Sequence, residues 1–240
     1  MQIIGHRGAR GEAPENTLGG FKYLHDLGVR AVEFDVRQLA DTELSVIHDD
    51  NFLRTAGIDY QVKDCTQQDT QRFNQIKGWE FWHQTEPLPL LRQVMHVLKD
   101  FQHIEVEVKS VKNEKNAEKI VHTLQQQLQH CKDHITITSF DLKILKALQS
   151  QQSDFKRGLL VEMPIGEHAI DIATQFNCQR IGWKNELVNE SIVKLSRQAK
   201  LDVSVWTVND IDRAKTLQDF GIQGLITDYP KRMLQHLSPL

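Results

Sequence analysis

Cysteine is scarce in this chain: Cys65, Cys131 and Cys178 are odd in number and far apart. That pattern excludes a disulfide framework and reads as free thiols in a reducing cytoplasm. An excess of one charge is also missing. Net charge is −3, and Lys and Arg are scattered rather than clustered. Nucleic acid is therefore not an expected partner. No apolar run approaches the roughly 20 residues that a membrane span needs. The first residues, Met1-Gln2-Ile3-Ile4, enter a strand pattern at once, with no basic region, apolar core or small-residue cleavage site. A secretory leader is thus not expected, and a cytoplasmic location is. There is no internal repeat, and the Gln runs at 125–127 and 151–152 are too short to count as low complexity.

What is present is an alternation of strand and helix patterns. Strand candidates lie at 2–5, 30–36, 104–109, 135–139, 157–161, 179–183, 203–208 and 224–228. Each is followed by a segment of helical period. After the first strand, Asn16 is placed to cap a helix with Leu18, Phe21 and Leu24 inward, ended by Gly28. After the third, Ala117, Ile120, Val121, Leu124 and Leu128 form one apolar stripe. After the seventh, Asp210 is a candidate N-cap and Gly221 a candidate C-terminal stop. Eight such units predict a parallel, closed (β/α)₈ TIM barrel, and residues 1–240 suffice for one domain of that kind.

One strand is left over. Leu44 to His48 follows the second strand with no room for a helix, so a hairpin turning at Asp41-Thr42 is expected. A two-residue turn sets Ala40 opposite Glu43 and Asp35 opposite His48. Residues 50–88 are too long for an ordinary βα loop. They are read as a small insertion on the barrel top, with Trp79, Phe81 and Trp82 as its own core.

The chemistry gathers at strand ends, where active sites of such barrels lie. Glu33 and Asp35 project from one face of their strand, and two carboxylates on one face make half of a hard-cation site. Glu107 completes a three-oxygen set suited to Mg²⁺ or Ca²⁺, with Mn²⁺ a further candidate. His6 and His48 each end an apolar run and can serve as general acid and base. Arg7 offers a planar fork for phosphate, and Lys109 shares a strand face with Glu107. The combination points to metal-assisted cleavage of a phosphate ester.

Other polar strand ends admit plainer readings. Ser139 and Lys184 are divided between site and surface, and Trp206 between stacking on substrate and plugging the barrel. Phe140 joins Trp206 as a substrate-binding candidate. Asp228, just before Pro230, is read as the cap of the last helix. His130 and His134 have metal-like spacing but read as solvated surface. Glu105 is read as facing away from Glu107 and is left out of the set.

Seven ordered segments also carry a resemblance. His6-Arg7-Gly8 with Pro14-Glu15-Asn16-Thr17, Glu33-Phe34-Asp35-Val36, Ile47-His48-Asp49 and Glu105-Val106-Glu107-Val108-Lys109 make up the first four. Ser139-Phe140, Val205-Trp206-Thr207-Val208-Asn209 and Gly224-Leu225-Ile226-Thr227-Asp228-Tyr229-Pro230 follow. The whole resembles the glycerophosphodiester phosphodiesterase family of the bacterial, cytoplasmic type. The resemblance implies metal-dependent hydrolysis of small glycerophosphodiesters, such as glycerophosphocholine, to glycerol 3-phosphate and an alcohol. It implies Glu33, Asp35 and Glu107 as ligands, His6 and His48 as catalysts, and Arg7 and Lys109 as phosphate contacts. A lysophospholipase-D-like or cyclising enzyme on the same barrel is the alternative. A glycosidase using Glu33 and Glu107 would leave the histidines, Arg7 and Lys109 without a role. A non-catalytic binding protein would be signalled by a lost ligand or histidine, and none is lost. Departures from the family pattern sit in the insertion, at residues 54–64 and at Pro87-Leu88-Pro89-Leu90-Leu91, and bear on the alcohol group.

Overall fold

The computed structural model describes residues 1–237 of the chain. Eight parallel strands close into a barrel: β1 (Gln2–His6), β2 (Ala31–Gln38), β4 (His103–Val108), β5 (Ile135–Ser139), β6 (Lys156–Val161), β7 (Arg180–Lys184), β8 (Asp202–Trp206) and β9 (Gly224–Thr227). Pairing of β1 with both β9 and β2 makes the closure. Helices follow the strands: α1 (Leu18–Asp26), α2 (Leu91–Val97), α3 (Glu114–Leu128), α4 (Leu142–Ser150), α5 (His168–Gln175), α6 (Glu190–Gln198), α7 (Ile211–Phe220) and α8 (Pro230–His236). The expected (β/α)₈ barrel is the observed fold. On β2, Val32, Phe34 and Val36 face outward into the helices, joined by Phe21, Leu24, Leu91 and Val94. The stripe on α3 is fully buried, Asp210 caps α7 through the Arg213 N–H, and Gly221 ends α7 at φ 83°. None of the described residues forms a helix long and apolar enough to cross a membrane.

Two local expectations change. Asn16 is not the cap of α1; Thr17 is, its hydroxyl accepting the Gly20 N–H at 2.9 Å. Asn16 sits at φ 54°, a conformation asparagine tolerates, and this turns its side chain inward. The leftover segment forms β3 (Leu44–Val46), antiparallel to β2 as expected, but the register is shifted by one residue. Val36 pairs with Val46, and the Ile47 N–H, not His48, meets the Asp35 carbonyl. The cause is the turn. Leu39 and Glu43 close a three-residue loop, with Thr42 at φ 71° in the position usually given to glycine.

The insertion packs around Phe52, Val62, Cys65 and Phe73, with Phe52 and Phe73 stacked at 3.8 Å. This corrects the assignment of its core to the tryptophan cluster. Phe81 is 91% exposed, and Trp82 is half-buried with its N–H on Glu86. Leu39, Ile47 and Leu90 share the Phe52 cluster, so the insertion is anchored to the hairpin.

Inside the barrel the strands present polar groups. Glu105 lies two residues from Glu107 and therefore on the same face, contrary to the sequence reading. It is fully buried, held by His103 Nε2 at 2.9 Å, by Arg180 Nη1 at 3.4 Å and by Ser204. Burial alone would raise its pKa, but Arg180 and His103 bring it below the usual glutamate value. Removing one partner of such a pair leaves an uncompensated buried charge. Arg180→Met is therefore expected to cost about 3–5 kcal/mol of stability, and Glu105→Met with Arg180→Met much less. Urea unfolding of both variants checks this; equal losses would refute the pairing.

Candidate active site

Register puts the carboxylates together. In β1–β2, His6 pairs with Glu33; in β2–β4, Asp35 pairs with Glu107. Glu33, which pairs with Glu105, lies one inward position below Asp35 and Glu107, and the three side chains converge at the barrel mouth. One oxygen from each lies within 4.8 Å of the others, and all three residues are buried. Burial and mutual repulsion hold Glu33 well above the usual glutamate range. Burial and Asp35 raise Glu107 to about 7, although Lys109 acts the other way. Asp35 would also be raised by burial, but Lys109 and Arg7 bring it far below.

The chain supplies two cations to this cluster. Lys109 Nζ lies 2.7 Å from Asp35 Oδ1 and also touches Glu107 Oε1. Arg7 Nε lies 3.1 Å from Asp35 Oδ2, and the Arg7 backbone N–H donates to Glu33 Oε2 at 3.2 Å. Arg7 reaches this position from a backbone at φ 51°, followed by Gly8 at φ 91°. Strain of that kind persists only where the surroundings fix it. Here the loop closes through the Asn16 N–H on the Arg7 carbonyl, and Asn16 Nδ2 donates to Asp35 Oδ2 at 2.9 Å. Asn16 thus joins the candidate site through Asp35 and does not cap α1.

Each histidine has a carboxylate on Nδ1. His6 Nδ1 lies 2.6 Å from Asp228 Oδ1, whose other oxygen accepts from Asn209 Nδ2 at 2.8 Å. Asp228 therefore holds His6 and does not cap α8, where Tyr229 occupies the cap position. His48 Nδ1 lies 2.7 Å from Asp49 Oδ1. Asp49 in turn binds Arg54, and Arg54 makes a two-bond fork with Glu15 at 2.7 and 2.8 Å. Glu15 also holds Arg7 Nη1 at 2.9 Å. Burial would raise Glu15, but Arg54 and Arg7 bring it to about 2. Burial lowers both imidazoles, against the carboxylates beside them. With the proton held on Nδ1, each Nε2 is left to exchange a proton with a ligand; His6 Nε2 lies 3.9 Å from Glu33 Oε2.

These groups line a cavity of about 280 Å³ that includes His6, Arg7, Glu33, His48, Glu107 and Lys109. Phe140 and Trp206, in edge-to-face contact at 5.4 Å, form its apolar wall with Leu160 and Ile226. Trp206 also packs on Ile4, Ala31 and Ile226 inside the barrel, as the plug reading expects. Ser139 lies outside, its hydroxyl donating to the Val108 carbonyl at 2.7 Å. Lys184 is also outside, facing Glu186. His130 and His134 are exposed on the surface, as expected.

The donor set fits a hard divalent cation. It is oxygen-only, and Glu33 and Glu107 keep a demand for positive charge that Arg7 and Lys109 do not satisfy. No cysteine joins the cluster.

Comparison with known proteins agrees with this arrangement. The profile of the glycerophosphoryl diester phosphodiesterase family matches residues 6–232. A glycerophosphodiester phosphodiesterase of Caldanaerobacter subterraneus subsp. tengcongensis is 26% identical over 238 residues, covering 97% of this chain and 96% of that protein. Human lysophospholipase D is 24% identical over 283 residues, covering 98% and 85%. An Oleispira antarctica phosphodiesterase, solved with its product sn-glycerol-3-phosphate, superimposes with a TM-score of 0.87 at 23% identity, covering 98% of this chain and 96% of that one. The chain therefore belongs to the glycerophosphoryl diester phosphodiesterase family.

Proposed function

We propose that the chain hydrolyses glycerophosphodiesters to glycerol 3-phosphate and an alcohol, with a divalent cation, Mg²⁺ or Ca²⁺, at Glu33, Asp35 and Glu107. One observation carries this reading. Three buried carboxylates share a barrel mouth with two histidines, each bound at Nδ1 by its own carboxylate. The product of the Oleispira enzyme supplies the kind of ligand such a mouth suits, a phosphate with a short polyol.

A phosphodiester resists attack because its anionic oxygens repel nucleophiles and its alkoxide leaves poorly. The bound cation would supply Lewis-acid stabilisation of the charge on phosphate. Arg7 adds a fork that matches two phosphate oxygens, and Lys109 a point charge beside it. Of the two histidines, one takes the proton of the attacking hydroxyl and the other gives a proton to the departing alcohol. Asp228 and Asp49 keep the Nδ1 proton in place, so that Nε2 of each ring does the exchange. Phe140 and Trp206 exclude water from the glycerol carbons. Water and the glycerol 2-hydroxyl are both served by this machinery as nucleophile.

A second reading, action on lysophospholipids, is favoured by Leu142, Met163 and Ile165. Leu142 is exposed at the start of α4, and Met163 and Ile165 are exposed on the loop after β6, close in sequence to Phe140 and Glu162 of the mouth. Faster turnover of lysophosphatidylcholine than of glycerophosphocholine would select it.

Exhaustive chelation is expected to abolish release of glycerol 3-phosphate from glycerophosphocholine. Glu107→Gln should raise the cation concentration needed for half-maximal rate while the protein stays folded by circular dichroism. Full activity in EDTA would sink the metal assignment.

His6→Ala and His48→Ala should each slow turnover by about 10²–10⁴-fold. The histidine acting as acid should matter less for a nitrophenyl diester, which has a good leaving group. Equal losses on both substrates for both variants would exclude an acid role.

Asp228→Asn leaves the shape but not the charge that fixes the His6 tautomer. It is expected to lower kcat by about 10²–10⁴-fold with KM little changed. A rise in KM at constant kcat would instead place Asp228 in ground-state binding.

A further inference from the structure

The mouth is small. Its volume of about 280 Å³ falls just short of the roughly 300–1,000 Å³ usual for ligand pockets, and one wall is apolar. A diester with a large alcohol must extend beyond it. The mouth opens on the side of His48, where Arg37, His48, Lys109 and Ser110, together with the carboxylates of Glu107 and Glu162, line a recess of about 230 Å³. Arg37, Lys109 and Ser110 continue into a cleft of about 510 Å³ between the β2–β3 hairpin, the insertion and the start of α3. Mouth, recess and cleft thus adjoin one another, with Lys109 lining all three.

Charge in the cleft is one-sided. Arg37, Lys63 and Lys112 line it, and among the described residues none of the three makes an ion pair. Asp50 is the one carboxylate on its wall. Arg37 is half-buried, and its Nε donates to the His48 carbonyl at 2.8 Å, which fixes the guanidinium at the inner end. Among the described residues, its terminal nitrogens have no protein partner. A partly buried guanidinium with a free fork is suited to a phosphate. Lys63 and Lys112, exposed at the rim, add attraction for an approaching anion. A trimethylammonium group would meet three like charges there. Lys63 also lies in the stretch 54–64, where the sequence departs from its family pattern.

We infer that this cleft is the subsite for the alcohol end of the substrate, and that it selects an alcohol bearing a second phosphate, a phosphorylated polyol. The inference rests on the diesterase reading and names its substrate class. The inner cation, Arg37, meets the second phosphate, and the rim lysines steer it inward.

The test compares kcat/KM for glycerophosphoinositol 4-phosphate and glycerophosphocholine in the wild type and in Lys63→Glu with Lys112→Glu. The wild type should favour the phosphorylated substrate by about tenfold or more, and the ratio should shrink at about 0.5 M salt. In the double variant the ratio should fall by at least about tenfold. A wild-type preference for the choline diester, or a ratio unmoved by the double variant, overturns the inference. Should neither substrate yield glycerol 3-phosphate, the diesterase reading fails, and binding still decides the cleft. Titration of inositol 1,4-bisphosphate, tighter on the wild type than on the double variant, supports the subsite; equal binding or none refutes it.

Discussion

Repulsion among three buried carboxylates is the constraint on which the rest of this structure depends. Register sets Asp35 beside Glu107, Glu33 lies two residues earlier on the same inward face, and one oxygen from each falls within 4.8 Å of the others. At an effective dielectric of about 20, two unit charges about 4–5 Å apart repel by about 3–4 kcal/mol. Only fixed positive charge makes such a cluster tolerable. Lys109 supplies part of it from the strand that carries Glu107, and Arg7 supplies part from a strained loop. Holding Arg7 in place requires Glu15, and Glu15 requires Arg54. The need for countercharge thus reaches from the barrel mouth into the insertion. It still leaves Glu33 and Glu107 raised, consistent with the proposed cation among the three carboxylates.

The barrel separates this cost from its stability. Outward residues of the strands are apolar and packed by the helices, with Val32, Phe34 and Val36 of β2 typical of the pattern. Inward residues carry the charge. Below the site, Glu105 is matched by Arg180 and His103; above it, the carboxylates face the mouth. A substitution in the outer layer acts on stability, and one at the inward strand ends acts on charge balance.

Much of this was legible in the sequence, for physical reasons. Strand and helix periods gave the barrel, because outward strand faces and inward helix faces must both be apolar. Strand alternation put Glu33 beside Asp35, and strand ends gathered both histidines, Glu107 and Lys109 in one mouth. Failures arose where a single residue has two competing uses. Asn16 and Asp228 are good caps by type, yet Asn16 donates to Asp35 and Asp228 accepts from His6. Nothing local distinguishes the two uses. The register of β3 was missed because Thr42 adopts a left-handed conformation that its type disfavours. The Arg54 link to Glu15 spans 39 residues, and no periodicity encodes a contact of that range. Glu105 is different: the two-residue strand period itself places it on the face of Glu107, where the structure has it.

The two histidines are supported by different parts of the chain, and this divides the mouth into unequal halves. His6 leans on Asp228 and Asn209, which follow β9 and β8 and belong to the barrel frame. His48 leans on Asp49, which leans on Arg54, and its carbonyl holds Arg37. All of these come from the hairpin or the insertion. The basic cleft is walled by the same elements. On the barrel side, therefore, geometry is set by strand register and is hard to change. On the insertion side, the wall of the proposed alcohol subsite and the support of His48 are linked by hydrogen bonds. A change in the insertion that reshapes the cleft also acts on His48 through Arg54 and Arg37. In the proposed reading, selectivity for the alcohol and the proton chemistry of His48 are thereby coupled, and through Arg54, Glu15 and Arg7 the same bonds reach the phosphate end.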